Sequence, residues 1–189
     1  TLLIAAALVV GVIFLFLRKV SATIIPALAL PLSIIGTFAG MSLMGFSLDN
    51  LSLMALTLSV GFVVDDAIVM LENIVRHIEM GEKPYDAALK GSGEVAFTIL
   101  SMTVSLVAVF IPIVFMTGLV GRLLYEFSIT IIMAILISGF ISISFTPMLC
   151  ARLLQDERNV KHNAFYRWSE SAFNAMQSGY NRSLNWAMS

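Results

Sequence analysis

The sequence predicts an all-α membrane protein, a polytopic bundle of transmembrane helices. Of its 189 residues, 59% are hydrophobic and only 12% are charged. A soluble domain carries about 25% charged residues, so this composition excludes an ordinary water-soluble globule and a disordered tail. The formal net charge of −1 provides no basic excess, and we therefore expect no nucleic-acid partner.

Long runs without charged residues supply the second observation behind this fold class. They predict five spans, at about residues 1–17, 22–44, 51–75, 95–116 and 125–151. A bilayer crossing needs roughly 20 apolar residues, and the first run is short enough to be clipped at its start. Since the chain opens directly on apolar residues without an initiator methionine, we interpret residues 1–151 as the bundle of a longer protein.

Residues 152–189 differ in composition from the five spans. Apolar residues recur there at helical spacing among charged ones: Phe165, Trp168, Ala172 and Met176. This pattern predicts an amphipathic connecting helix along the cytoplasmic membrane surface; a small soluble packing helix is an equally good interpretation. After Gly179 the sequence predicts the start of the next span.

Two adjacent acids, Asp65 and Asp66, interrupt the third span. An ionised Asp near the bilayer centre costs about 2.5–3.5 kcal/mol on insertion scales. A span that ended at Val64 would be short for a crossing, whereas the apolar run continues to Leu71, so we expect both acids to lie inside the membrane. Burial and a neighbouring carboxylate both favour the protonated form of an acid. The pair is therefore suited to taking up and releasing a proton.

Polar residues repeat along the third span every seven residues, which is close to two helical turns. One series is Ser52, Ser59, Asp66 and Asn73, and the other is Asp65, Glu72 and Glu79. We expect the two stripes to adjoin on one side of the helix. The apolar side is then formed by Leu56, Phe62, Val63 and Met70. Ser52, Ser59 and Asn73 are accordingly candidates for a polar lining beside the two acids.

The acid pair leaves three classes of function open. A coupled transporter would use it as a proton carrier, and a scaffold or channel subunit would hold it as a structural ion-pair member. An intramembrane aspartyl protease needs two carboxylates that face each other, whereas neighbours on one helix diverge by about 100°.

Other chemistry is not expected from this sequence. It contains no Walker-type phosphate loop, so ATP hydrolysis is not expected as the energy source, and no enzyme site is predicted. His77 and His162 lie far apart in predicted cytoplasmic segments, which favours surface roles over metal binding. The single cysteine, Cys150, excludes a disulfide framework. We therefore expect neither a metal nor a cofactor.

The third span contains the segment Val64-Asp65-Asp66-Ala67-Ile68-Val69, followed by Glu72-Asn73. This segment resembles the fourth membrane helix of the resistance–nodulation–division (RND) multidrug efflux pumps of the hydrophobe/amphiphile type. Segments 31–38, 126–130 and 146–151 are similar as well, and the resemblance covers nearly the whole chain. Segments 62–66 and 81–84 look most like the subgroup whose pumps contain two different but related subunits.

This resemblance implies a fold and a function. The five spans would be helices two to six of a twelve-helix protomer, and residues 152–189 would join its halves. Asp65 and Asp66 would translocate protons, paired with a lysine from a later helix, and so drive the export of drugs and amphiphilic compounds. The full pump would be a trimer in the bacterial inner membrane, with a periplasmic adaptor and an outer-membrane channel. Lipids, protons and hydrophobic or amphiphilic small molecules are thus the expected partners; a metal exporter of the same superfamily is the alternative.

The distribution of Lys and Arg predicts the orientation of the spans. Basic residues follow the first, third and fifth spans, whereas Arg122 is the one basic residue in a loop on the other side. Cytoplasmic loops carry an excess of Lys and Arg. The loops after spans one, three and five are therefore predicted to be cytoplasmic.

Cysteine labelling tests this orientation in a background in which Cys150 is replaced by Ser. We expect Leu119→Cys to react with a membrane-impermeant thiol reagent added outside the inner membrane, since this residue lies in a predicted outer loop. Lys83→Cys should react only after the membrane has been permeabilised. The reverse labelling pattern would contradict the predicted topology.

Overall fold

The computed structural model describes residues 2–17 and 20–154, and this part of the chain is helical apart from short turns. Five helices follow one another: α1 (Leu2–Leu17), α2 (Val20–Leu43), α3 (Asn50–Glu79), α4 (Pro84–Val114) and α5 (Gly118–Leu153). The predicted all-α membrane bundle is confirmed. The connecting helix and the start of a further span were predicted over residues 152–189. Arg152 and Leu153 belong to α5 instead, and residues 155–189 lie outside the described residues.

Four of the helices, α2 to α5, are long and apolar enough to cross a bilayer, whereas α1 is a shorter apolar helix. Several helices extend past the predicted spans: α3 continues to Glu79, α4 begins at Pro84 and α5 begins at Gly118. The prediction placed limits at charged residues, but a helix can leave the membrane without ending. Turn chemistry sets its end instead.

The ends of α3 show this turn chemistry. At its start, Asp49 and Ser52 form a reciprocal capping box, in which the Ser52 N–H donates to Asp49 Oδ1 at 2.7 Å. This hydrogen bond holds the pKa of the Asp49 carboxyl below its usual range. At the other end, Gly81 takes φ +98°, a left-handed conformation that suits glycine just after a helix. Pro84 then opens α4 at a position where no N–H is needed.

α5 is the central helix, in contact with α2, α3 and α4. Its buried residues pack with those of α3 level by level. Ala55 packs in one cluster with Ile131, Ala67 in a second with Ile141, and Leu71 in a third with Cys150. From one cluster to the next, the residue numbers on α3 and on α5 rise together, so these two helices run parallel. α4 connects them and runs antiparallel to both.

The two ends of the bundle carry different charges. At one end, the α3–α4 corner packs with the end of α5 through Ile78, Ala87 and Leu154. At the other end, the rings of Phe46 and Tyr125 meet edge to face, with centroids 6.3 Å apart. The first end carries Arg76, Lys83, Lys90 and Arg152; the second carries Arg122. The helix directions thus place the basic residues mainly at one end of the bundle. The orientation prediction assumed this distribution.

A glycine allows α3 and α4 to approach closely. A Cβ atom added to Gly91 would lie 3.1 Å from Ile74 Cα and 3.2 Å from Ile74 Cγ1. On the same helix, a Cβ at Gly93 would meet nothing within 4 Å. Gly91 and Gly93 therefore form a matched pair for testing this contact.

We predict that Gly91→Val destabilises the protein by about 1–3 kcal/mol more than Gly93→Val, because overpacking a tight contact costs this much. Both variants have the same helix propensity, so the difference reports the contact with Ile74. Thermal unfolding of the purified full-length protein in detergent measures it. Equal losses in the two variants would show that α3 and α4 do not pack here.

Candidate functional site

Helix α3 carries the candidate site, and its faces have different surroundings. α5 lies on one side, while α1 and α2 pack on a second through Ile13 and Leu30. α4 covers a third side. Phe62 of α3 and Val107 and Phe110 of α4 pack against the same apolar cluster there. The fourth face is open within the described part of the chain. Exposed residues on it are Leu58, Gly61, Asp65, Glu72 and Glu79.

The two adjacent acids belong to different faces of α3. Asp66 is 2% exposed and lies inside the bundle, whereas Asp65 lies on the open face and is exposed. The cause is the helix itself, since successive residues turn by about 100°. The two carboxylates therefore do not face each other across a common space, as the chemistry of an aspartyl protease requires.

Asp66 has an unusual environment for a carboxylate. Its Oδ1 is buried and has no hydrogen-bond partner among the described residues. One turn earlier, Ser138 Oγ of α5 donates to the Val63 carbonyl at 2.8 Å, so α5 backs this part of α3. A buried charge without a partner is strongly unfavourable. Asp66 therefore requires either a proton or a partner outside the described residues.

The prediction that both polar stripes lie on one side of the helix is wrong. Ser52, Ser59 and Asp66 are buried, but Asp65, Glu72 and Glu79 are exposed. Residues expected on an opposite apolar side share the buried face instead: Leu56, Val63 and Met70. Seven-residue spacing keeps each stripe in line, but stripes that begin on adjacent residues lie about 100° apart.

The candidate lining residues occupy three different levels of α3. Ser52 belongs to the capping box at the start of the helix. Ser59 lies on the buried face with Asp66, and its hydroxyl donates to the Leu56 carbonyl at 2.9 Å. Asn73 lies on the α4 side, where its amide donates to the Gly91 carbonyl at 2.8 Å and to Glu94 Oε2 at 3.1 Å. The structure therefore brings Ser59 and Asp66 onto one face, and places Ser52 and Asn73 towards the two ends.

An ionic cluster at the α3–α4 corner was missed from the sequence. His77 was expected at the surface, but its ring is buried. Its Nε2 lies 3.2 Å from Glu94 Oε2 and its Nδ1 lies 3.6 Å from Glu82 Oε2. Arg76 pairs with Glu94 at 3.2 Å, and Lys90 with Glu82 at 2.8 Å. The antiparallel turn at Gly81 is the sequence feature that could have indicated these contacts.

The stability that the Lys90–Glu82 pair of this cluster contributes depends on pH. The hydrogen bond from Lys90 Nζ, together with its charge, lowers the pKa of the Glu82 carboxyl. A carboxyl with a lowered pKa stabilises the folded state above its unfolded pKa, and this contribution is lost as the pH falls through the folded value. The corner is therefore held at neutral pH and weakened in acid. Among the described residues, no group of three or more His, Cys, Asp or Glu side chains could hold a metal ion.

Long apolar helices around a central α5, with a carboxylate buried inside the bundle, define a multi-pass membrane protein. The chain belongs to the AcrB/AcrD/AcrF family, whose model matches residues 1–189. This is a family of RND transporters, and the resemblance inferred from the motifs is thereby confirmed.

We predict that Asn73→Leu lowers the free energy of unfolding by about 1 kcal/mol, because the amide makes two hydrogen bonds across the α3–α4 interface. Unfolding of the full-length protein in detergent measures the loss. Ser105→Ala is the control, since its exposed hydroxyl bonds within α4 to the Ser101 carbonyl. If the loss is no larger for Asn73→Leu than for the control, the Asn73 hydrogen bonds do not stabilise the α3–α4 interface.

Proposed function

We propose that this chain is the proton-conducting membrane part of a drug/proton antiporter of the bacterial inner membrane. One observation carries the proposal: this chain of a transporter family holds Asp66 inside its bundle, 2% exposed, and one carboxylate oxygen has no hydrogen-bond partner among the described residues. Such a group exchanges a proton when its surroundings change. The exported compounds are drugs and other amphiphilic molecules, as in the efflux pumps that the motifs resemble.

Two states of the acid pair provide the coupling. With a positive charge close to Asp65 and Asp66, the ionised state is favoured, since opposite unit charges 4 Å apart attract by about 4 kcal/mol at an effective dielectric constant of 20. With that charge withdrawn, Asp66 takes up a proton because its site is apolar. The open face at Asp65 is the side from which another part of the full pump can approach.

The proton gradient supplies the energy for this cycle. One proton that crosses 100 mV releases about 2.3 kcal/mol. Each protonation state favours the conformation that stabilises it, so proton entry and release alternate the conformation of the bundle. In this proposal the full pump is a trimer that works with a periplasmic adaptor and an outer-membrane channel, while lipid covers exposed apolar residues such as Phe97 and Phe140.

Substitution of each acid tests the carrier role. Asp65→Asn and Asp66→Asn in the full-length pump should leave assembly intact, because Asn occupies nearly the same space and resembles a protonated acid. Export of a fluorescent amphiphile should nevertheless fall to the level of cells without the pump, since Asn exchanges no proton. Glu72→Gln is the matched control, because Glu72 is an exposed acid on the same helix, and export should persist.

Infrared spectroscopy tests whether Asp66 is a proton carrier or an acid with only a structural role. A carrier must be protonated in one conformation and ionised in another. Difference spectra of the full-length pump with and without substrate should therefore contain a carboxyl band that is absent in Asp66→Asn. Normal export by Asp66→Asn at equal expression would reduce the acid to a scaffold role.

A further inference from the structure

A groove of about 350 Å³ lies between the start of α4 and the end of α5. Ligand pockets in proteins measure about 300–1,000 Å³, so the groove is large enough to hold part of a small molecule. Its base consists of small side chains, since Ala88 is buried and Ser92 and Ala151 are half-buried. The larger side chains of Leu89 and Met148 are exposed beside them. The small residues therefore leave the space that the groove occupies.

The groove crosses the boundary between the apolar and the charged part of the bundle. Met148 belongs to the apolar run that ends at Ala151, and Arg152 is the first charged residue after that run. Because α4 and α5 are antiparallel, Tyr85 lies at the Arg152 end of the groove and Ser92 at the Met148 end. This is also the predicted cytoplasmic end of the bundle. We thus expect one end of the groove to lie among lipid headgroups and the other among acyl chains.

Arg152 gives the groove a net positive charge. Among the described residues that line the groove, it is the one charged residue. Its side chain is exposed, and it forms no ion pair with another described residue. A guanidinium group can bind a phosphate through two parallel hydrogen bonds. The charged end of the groove is therefore suited to a phosphate group.

A second recess, which shares Leu89 with the groove, does not have this property. It is lined by Lys83 and Lys90, but also by Glu82 and Asp86. Lys90 Nζ lies 2.8 Å from Glu82 Oε1. Because the charges of this recess are balanced within the protein, a phosphate is bound less favourably there than at Arg152.

Tyr85 is a typical residue of the membrane–water interface. It is 70% exposed at the Arg152 end of the groove. Tyrosine is enriched at such interfaces because its ring is apolar and its hydroxyl group is polar. The Tyr85 hydroxyl can donate a hydrogen bond to a headgroup, while its ring and Leu89 contact the first part of an acyl chain.

We infer that this groove binds one anionic phospholipid of the cytoplasmic leaflet, with its phosphate at Arg152 and Tyr85 and one acyl chain along Leu89 and Met148. A lipid fits better than a soluble anion, because the apolar side chains continue from the charged end of the groove into the span. Basic pockets between transmembrane helices on the cytoplasmic side bind anionic headgroups. The inference goes beyond the proposed function and does not depend on the carrier role of Asp66.

The charge of the groove favours an anionic headgroup over a zwitterionic one. A zwitterionic headgroup carries an ammonium group as well as a phosphate, and the ammonium group requires an acidic partner. No acidic residue is among the described residues that line the groove. An anionic headgroup needs only the positive charge that Arg152 supplies.

The test uses the full-length pump in nanodiscs of phosphatidylcholine with an increasing fraction of phosphatidylglycerol that carries a photoreactive diazirine in one acyl chain. After illumination, mass spectrometry of peptides should find the label at Leu89 or Met148. Arg152→Gln should raise the phosphatidylglycerol fraction for half-maximal labelling by about fivefold, the scale expected for one cationic side chain at an anionic membrane surface. Arg152→Lys keeps the charge and should restore part of the affinity.

Arg122→Gln is the matched control, because Arg122 is also an exposed arginine of α5 but lies near the opposite end of that helix. It should leave labelling of the groove unchanged. Ser92→Trp tests the shape of the groove separately, since the indole ring fills the space while Arg152 is unchanged. Labelling should then be lost, and size-exclusion chromatography checks that each variant still assembles.

Phosphatidylethanolamine with the same photoreactive chain distinguishes a specific site from the lipid that surrounds any membrane protein. This zwitterionic probe should label the groove more weakly and should not respond to Arg152→Gln. Equal labelling by both probes, unaffected by Arg152→Gln, would reduce the groove to unspecific lipid contact and overturn the inference. If neither Leu89 nor Met148 is labelled, another part of the pump fills the groove, and the inference is equally wrong.

Discussion

The constraint on which this structure depends is the burial of one carboxylate, Asp66, in an apolar bundle. An acid there is unfavourable when ionised and unpaired, so its charge must vary with its surroundings. The helices around α3 differ in how they surround the Asp66 carboxylate. α5 backs this part of α3, α4 lies on another side of the helix, and the open face presents Asp65. In the proposed function, a group whose charge is conditional in this way links proton uptake to helix arrangement.

The position of Asp66 depends on both ends of α3. The capping box at Asp49 fixes where the helix begins, and Gly81 fixes where it ends. Between them, the hydrogen bond from Ser138 to the Val63 carbonyl ties the helix register to α5. An error of one residue at either cap would turn a different side chain into the interior. Short-range turn chemistry therefore positions a group that lies several turns away.

Composition and charge spacing were enough to predict the helical bundle, and the interruption by Asp65 and Asp66 was enough to locate the unusual acids. The sequence could not show that these acids lie on different faces, because that depends on which helices surround α3. His77 was misplaced because the turn at Gly81 folds Glu94 back onto it.

The uneven burial of α4 has a consequence for how its sequence tolerates change. Its inward residues Gly91, Ile99 and Thr103 are buried against neighbouring helices, whereas most of its surface is exposed and apolar. Outward positions such as Leu100, Val104 and Ile111 require only a side chain compatible with lipid. Mutations should therefore accumulate freely along one side of α4 and be eliminated along a narrow line on the other. In a collection of functional variants, that line would trace where α4 packs against α3 and α5.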